Sequence, residues 1–112
     1  MKAYWFDGEN GEKVREGDIP ANLVAFAKEK KAELISSLAE IDEKMEEYFL
    51  EENMDVPPEE LMASIRKHTI DLKFAPVFMG SAFKNKGVQL LLDGVINYLP
   101  NPTEVKNFAF DK

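Results

Sequence analysis

Apolar residues in this chain recur with two periods, and the longer period dominates its first half. Leu23, Val24, Ala27, Leu34, Ile35, Leu38, Ile41, Met45 and Phe49 fall mainly at steps of three and four, with Lys31 interrupting the row. That is the 3.6-residue stripe of an amphipathic helix. At about 30 residues the stripe outruns an ordinary globular helix, so a break is expected within it. Asp42 can cap a helix from within, which splits the stripe into helices over roughly 20–40 and 42–52. Asp18-Ile19-Pro20 opens the first of them, with an aspartate suited to capping before a proline that the first turn tolerates.

The flanking segments follow other patterns. Ala3-Tyr4-Trp5-Phe6 is rich in strand formers, Asp7-Gly8 and Asn10-Gly11 signal a reversal, and Lys13-Val14-Arg15 supplies a return strand. A hairpin this short needs something to pack on. Residues 53–58 form a turn, and Pro57-Pro58 starts a helix with Leu61, Ile65 and His68 on its inner face. Residues 72–79 are apolar and read as a strand, followed by small residues at Gly80-Ser81-Ala82 and a helix over 88–98. Val88, Leu91, Leu92, Val95 and Ile96 give that helix its apolar side, and Pro100 and Pro102 end it because neither can extend the hydrogen-bond ladder. The expected fold class is α/β: an N-terminal β-hairpin, three to four helices, and one strand-loop-helix unit.

Composition narrows the function classes. With 112 residues the chain is one domain's worth, and with no cysteine it can build neither a disulfide framework nor a thiolate site. A net charge of −7 argues against nucleic acid as a direct partner, since phosphate neutralisation needs a basic surface. No apolar run approaches the roughly 20 residues of a membrane span. Residues 1–5 carry no basic region followed by an apolar core, so no secretory signal is expected.

Catalytic chemistry finds little footing. Ser81 would need an adjacent base to act as a nucleophile. The single histidine, His68, reads as a partly exposed helix-end residue rather than a base or metal ligand. A phosphate-binding loop is absent, and Asn85-Lys86-Gly87-Val88 only imitates the Asn-Lys-x-Asp base motif, because Val88 stands where the aspartate is required. No catalytic residue and no metal site is therefore assigned. Gly80-Ser81-Ala82 is a different case. Backbone N–H groups at the carboxyl end of a strand can donate to a purine carbonyl, and small side chains let the backbone approach a flat ring.

Glu40, Glu43, Glu47 and Glu51 stack on one helix side, opposite Leu38, Ile41, Met45 and Phe49, with Asp42 and Glu46 flanking the apolar stripe. Like charges four apart cost a few tenths of a kcal/mol each, so the row reads either as a solvated face or as a docking surface for a basic partner.

Longer runs carry a resemblance. Gly80-Ser-Ala-Phe-Lys-Asn-Lys-Gly-Val-Gln89, followed by Leu91-Leu-Asp-Gly-Val95 and Tyr98-Leu-Pro-Asn-Pro102, resembles the end of the GTP-binding domain in the elongation factor G family of translational GTPases. Gly17-Asp-Ile-Pro-Ala21, Glu33-Leu-Ile35, Phe49-Leu-Glu-Glu52 and Ile65-Arg66 resemble the insertion this family carries within that domain. Phe49-Leu-Glu-Glu52, Pro76-Val-Phe-Met-Gly-Ser-Ala82 and Leu99-Pro-Asn-Pro-Thr-Glu-Val105 lean to the mitochondrial type, which implies the mitochondrial matrix, with the bacterial cytoplasm as alternative.

The resemblance implies a fragment of a ribosomal translocase that hydrolyses GTP during polypeptide elongation. Ser81, Ala82, Phe83 and Lys84 would form the last guanine-contact loop, with the Ala82 N–H as donor. Asp42, Glu43, Glu46 and Glu47 would meet a large-subunit stalk protein of the ribosome. The phosphate loop, switch segments, magnesium ligands and Asn-Lys-x-Asp motif would precede residue 1, and further domains would follow residue 112. GTP or GDP with magnesium is thus expected of the full-length protein and none of the fragment, which is expected to be inactive. The implied divisions are an insertion over 1–73, the strand-loop-helix over 74–102, which the resemblance makes one unit of an incomplete P-loop GTPase sheet, and a linker over 103–112. The alternative is a stand-alone acidic protein-interaction module with no nucleotide role. In either case an unpaired apolar strand at 74–79 would favour weak self-association.

Overall fold

The computed structural model describes residues 1–53, 55–106 and 108–109. Strands β1 (Ala3–Asp7) and β2 (Lys13–Gly17) form an antiparallel hairpin in the register Ala3↔Gly17, Trp5↔Arg15 and Asp7↔Lys13. Arg15 lies over the Trp5 ring, 4.7 Å from its centroid, and its Nε donates to Asp7 at 3.1 Å. These surface contacts fix one face of a ribbon that would otherwise be marginal.

A single 3-10 turn, Ala21–Leu23, leads into α1 (Val24–Ala39). Pro20 accepts from the Leu23 N–H at 2.8 Å, and no side chain caps this end, so Asp18 does not perform the capping role its position suggests. The expected break is real. Residues 40–42 interrupt the helix, and α2 (Glu43–Leu50) restarts with Asp42 as its cap, accepting from the Lys44 and Met45 N–H groups at 3.0 and 3.4 Å. Helix α3 (Pro58–Ile70) begins on Pro58, where the missing N–H costs nothing, and α4 covers Val88–Tyr98.

The core lies among α1, α2 and α3. Ile35, Leu38, Met45, Val56 and Ile65 are buried, with Leu34, Ile41, Tyr48, Leu61, Phe74 and Tyr98 packed around them. The ends of the long apolar stripe fall outside it: Leu23 and Phe49 are exposed.

The anticipated strand over 72–79 does not form. Among the described residues the only strands are β1 and β2, which pair with each other, so this segment has no ladder to join. It leaves α3 through Leu72, at φ +58°, while Lys73 and Phe74 donate to the His68 carbonyl. The two-faced character of a strand survives. Phe74 reaches the core and Phe78 packs on α4, whereas Val77 and Met79 are 87% and 93% exposed. The class remains α/β, a two-stranded antiparallel hairpin with four helices. With extents of 56 × 43 × 17 Å and a radius of gyration of 17.0 Å, the molecule is a slab. A compact domain of this length would measure about 13 Å. One reason is that the apolar side of α4 turns outward, with Leu92 and Ile96 exposed.

Candidate functional site

The loop over 80–87 is built from a narrow neck. Gly87 precedes α4 at φ +79°, and a Cβ there would fall 2.9 Å from the Met79 carbonyl oxygen. A Cβ on Gly80 would fall 2.6 Å from the Lys86 carbonyl oxygen. The two backbones touch, and only glycine permits both the contact and the positive φ. Above the neck, Ser81 and Lys86 exchange N–H···O bonds of 2.8 and 2.9 Å. The Asn85 N–H closes the tip on the Ala82 carbonyl at 3.1 Å, and the Lys84 N–H donates to Ser81 Oγ at 3.4 Å.

Those bonds leave the Ala82 and Phe83 N–H groups without a hydrogen-bond partner among the described residues. Ser81 is half-buried, Ala82 and Lys84 are exposed, and the Phe83 side chain is 99% exposed. A cleft of about 230 Å³ runs between the loop and α4, lined by Phe78, Gly80, Ser81, Ala82, Gly87 and Leu91. That is below the ~300 Å³ of a small-molecule pocket, so the loop offers one wall of a site. The loop's chemistry is that of exposed amide donors over small side chains.

Helix α2 carries the acidic row. Glu43, Glu46 and Glu47 are exposed, and among the described residues neither they nor Glu40 and Glu51 lie in an ion pair. Glu43 and Glu46 stand in the first helical turn, where the helix dipole favours negative charge.

Asp42 differs from its neighbours. It is buried, and its Oδ2 accepts from Ser64 Oγ at 2.8 Å and from His68 Nε2 at 2.9 Å, while Oδ1 holds the end of α2. Burial by itself raises this carboxyl. The bonds from Ser64, His68, Met45 and Lys44 together outweigh burial and hold it below its ordinary 3.8. An ionised carboxylate only accepts, so His68 Nε2 is the donor in this bond.

His68 is therefore not a partly exposed helix-end residue. It is 2% exposed, drawn inward because α3 sets it one turn from Ser64 and both reach the same carboxylate. Its Nδ1 is buried without a hydrogen-bond partner among the described residues. Beside this network a cleft of about 490 Å³ is lined by Lys44, Glu60, Ser64, Lys67 and His68. Sequence reasoning missed the network, although a Ser and a His four apart on the inner face of one helix were a usable signal.

A second polar contact ties α3 to α4. Arg66 Nη1 donates to the carbonyls of Ile96, Asn97 and Leu99 at 3.3, 3.1 and 3.0 Å, and Nη2 donates to both oxygens of Glu104 at 2.9 and 2.7 Å. It satisfies the open end of α4 and fixes the chain leaving it. Among the described residues no three His, Cys, Asp or Glu side chains converge as metal ligands, and no helix is long and apolar enough to cross a membrane.

No family model matches the chain. Individual relatives do. The chain is 52% identical over 112 residues to "Elongation factor G-1, mitochondrial" of Arabidopsis thaliana, covering 100% of the chain and 15% of that protein. It is 47% identical over 111 residues to "Elongation factor G 1" of Borrelia garinii subsp. bavariensis, covering 99% of the chain and 16% of that protein. The chain thus spans less than a fifth of the length of these curated relatives. Matched end to end at this level in a plant mitochondrial and a bacterial protein, the chain belongs to the elongation factor G family, as the counterpart of one segment of it.

Proposed function

We propose that this chain serves polypeptide elongation on the ribosome as a segment of a translocase GTPase, supplying one wall of a guanine pocket and a docking face for a stalk protein. The observation that carries the first part is the loop at 80–87, whose closing bonds leave the Ala82 N–H unspent at the surface. In this reading Ser81 and Ala82 meet the base, while Phe83 and Lys84 flank it. GTP or GDP, with magnesium, is bound by the rest of a full-length protein. The segment divides into an insertion over 1–73, a loop-helix unit over 74–102 and a linker over 103–112.

The docking face is the row Glu43, Glu46 and Glu47, unpaired and exposed on α2. Asp42 supports that face from inside by capping the helix, so its contribution to docking is indirect. The complementary surface on the stalk protein is basic, and the encounter weakens with salt. Kinship with the plant mitochondrial protein supports the mitochondrial matrix as the location, and the bacterial relative supports the bacterial cytoplasm as the alternative.

A titration of the isotope-labelled chain tests both parts. With the C-terminal domain of a stalk protein, amide shifts centred on residues 43–47 that shrink at higher salt are expected. Absence of any shift there would remove the docking reading. For the loop, Ala82→Pro in a full-length elongation factor carrying this segment removes the donor. It is expected to weaken GDP binding about three- to tenfold, the worth of one hydrogen bond. Unchanged affinity, with docking intact, would instead favour an acidic interaction module without a nucleotide role.

A further inference from the structure

The base loop is held at a third point, by the tip of the hairpin. Gly11 is buried at φ +58°, in the turn joining β1 to β2. A Cβ on it would fall 2.5 Å from the Asn85 carbonyl oxygen and 3.1 Å from both the Asn85 carbonyl carbon and the Lys84 carbonyl oxygen. These are main-chain atoms, which cannot swing away as a side-chain end would. Asn85 is itself at φ +49°, in the left-handed region that asparagine adopts more readily than most side chains.

We propose that Gly11 is a positioning residue for the loop, bracing the Lys84–Asn85 backbone so that the Ser81–Lys86 pair stays closed and the Ala82 N–H keeps its direction. Its consequence for nucleotide rests on the guanine-contact reading above; the brace itself does not. The hairpin thereby gains a role beyond its own ladder, since its tip sets the geometry of a loop far away in sequence. The alternative is that Gly11 serves only the turn it sits in.

Gly8 separates these cases. It stands in the same turn at φ +96°, but the three atoms nearest a Cβ there all belong to the Glu12 side chain, whose flexible end can move aside. Gly8→Ala, at a φ outside the left-handed well, therefore strains the turn at least as much as Gly11→Ala, and only the second presses on the loop. The test is amide hydrogen exchange and chemical shift in the isotope-labelled chain. Gly11→Ala is expected to shift residues 82–86 and to speed exchange of the Ser81 and Lys86 amides on the order of tenfold, a local opening. Gly8→Ala is expected to leave both unchanged, with the amides of Ile35, Leu38 and Ile65 reporting an intact core in each variant.

Loop amides untouched by Gly11→Ala, or moved equally by both variants, would overturn the proposal. In the unaltered chain, a nuclear Overhauser contact from the Gly11 Hα to Lys84 or Asn85 is expected, and its absence would overturn the proposal independently of any variant's folding. None of these readouts involves nucleotide, so failure of the guanine reading would be seen separately, in the Ala82→Pro experiment.

Discussion

Phe78 lies against Gly94 so closely that a Cβ on the glycine would fall 2.5 Å from the ring's Cζ and within 3.0 Å of two further ring atoms. The glycine opens a seat on α4 for a residue of the unpaired 74–80 segment, and the ring also meets Tyr98, 6.1 Å centroid to centroid. Gly94→Ala is expected to gain up to about 1 kcal/mol of helix propensity and to lose about 1–3 kcal/mol to overpacking. The net result is a slight destabilisation in urea. Its specific mark is changed Phe78 ring shifts, with residues 75–80 released from α4 while the α1–α3 core keeps its protection.

Asp42 closes two accounts at once, the first turn of α2 and the buried donors of Ser64 and His68. Asp42→Ala is expected to cost about 3 kcal/mol, combining a lost cap with two buried donors left without an acceptor. Asp42→Asn keeps an oxygen for the cap and should cost clearly less. Urea unfolding of the three proteins checks the order; equal stability of wild type and Asp42→Ala would contradict it.

The same carboxylate predicts a pH dependence. Its pKa is depressed in the folded chain, so its stabilisation is fully present above the ordinary 3.8 and is lost as pH falls through the lower folded value. The difference in unfolding free energy between wild type and Asp42→Asn should therefore stay level from neutral pH down to about 4 and shrink below it. A difference that grew on acidification would reverse the assigned sign.

Docking on α2 should follow charge rather than shape. Replacing Glu43, Glu46 and Glu47 together by glutamine is expected to lower affinity for a basic stalk domain about tenfold at low salt and much less at high salt, mainly through slower association. Calorimetry at two ionic strengths reads this. Helicity of α2 should change little, because the Asp42 cap is untouched.

The exposed apolar side chains Val77, Met79, Leu92 and Ile96 should make the isolated chain self-associate weakly. Ile96, 74% exposed, is the position to alter. Ile96→Glu is expected to shift sedimentation toward monomer at high concentration without loss of helix. A strict monomer for the unaltered chain would remove the prediction.

Local chemistry was legible where neighbours in sequence decide structure. The hairpin followed from Asp7-Gly8 and Asn10-Gly11, the break at Asp42 from its capping side chain, and α4 from its apolar period and the prolines after it. The loop over 80–87 was legible as small residues between an apolar run and a helix, although its closure by Ser81 and Lys86 was not. Reading failed at residues 72–79, whose composition favours a strand but whose ladder needs a partner that the described residues do not supply. It failed too at Asp18, where the backbone turn from Pro20 did the work expected of a side chain.

Sequence alone therefore determined which segments are helix and hairpin, where the acidic row and the small-residue loop lie, and the kinship with elongation factor G. Those properties reside in spacing and identity along the chain. Only the tertiary structure decided which way Asp42 faces, that His68 is buried against it, that Arg66 grips the end of α4, and that Gly11 packs against the Lys84–Asn85 backbone. Each of these joins residues distant in sequence, and helical periodicity says which face a residue occupies without saying what that face will meet.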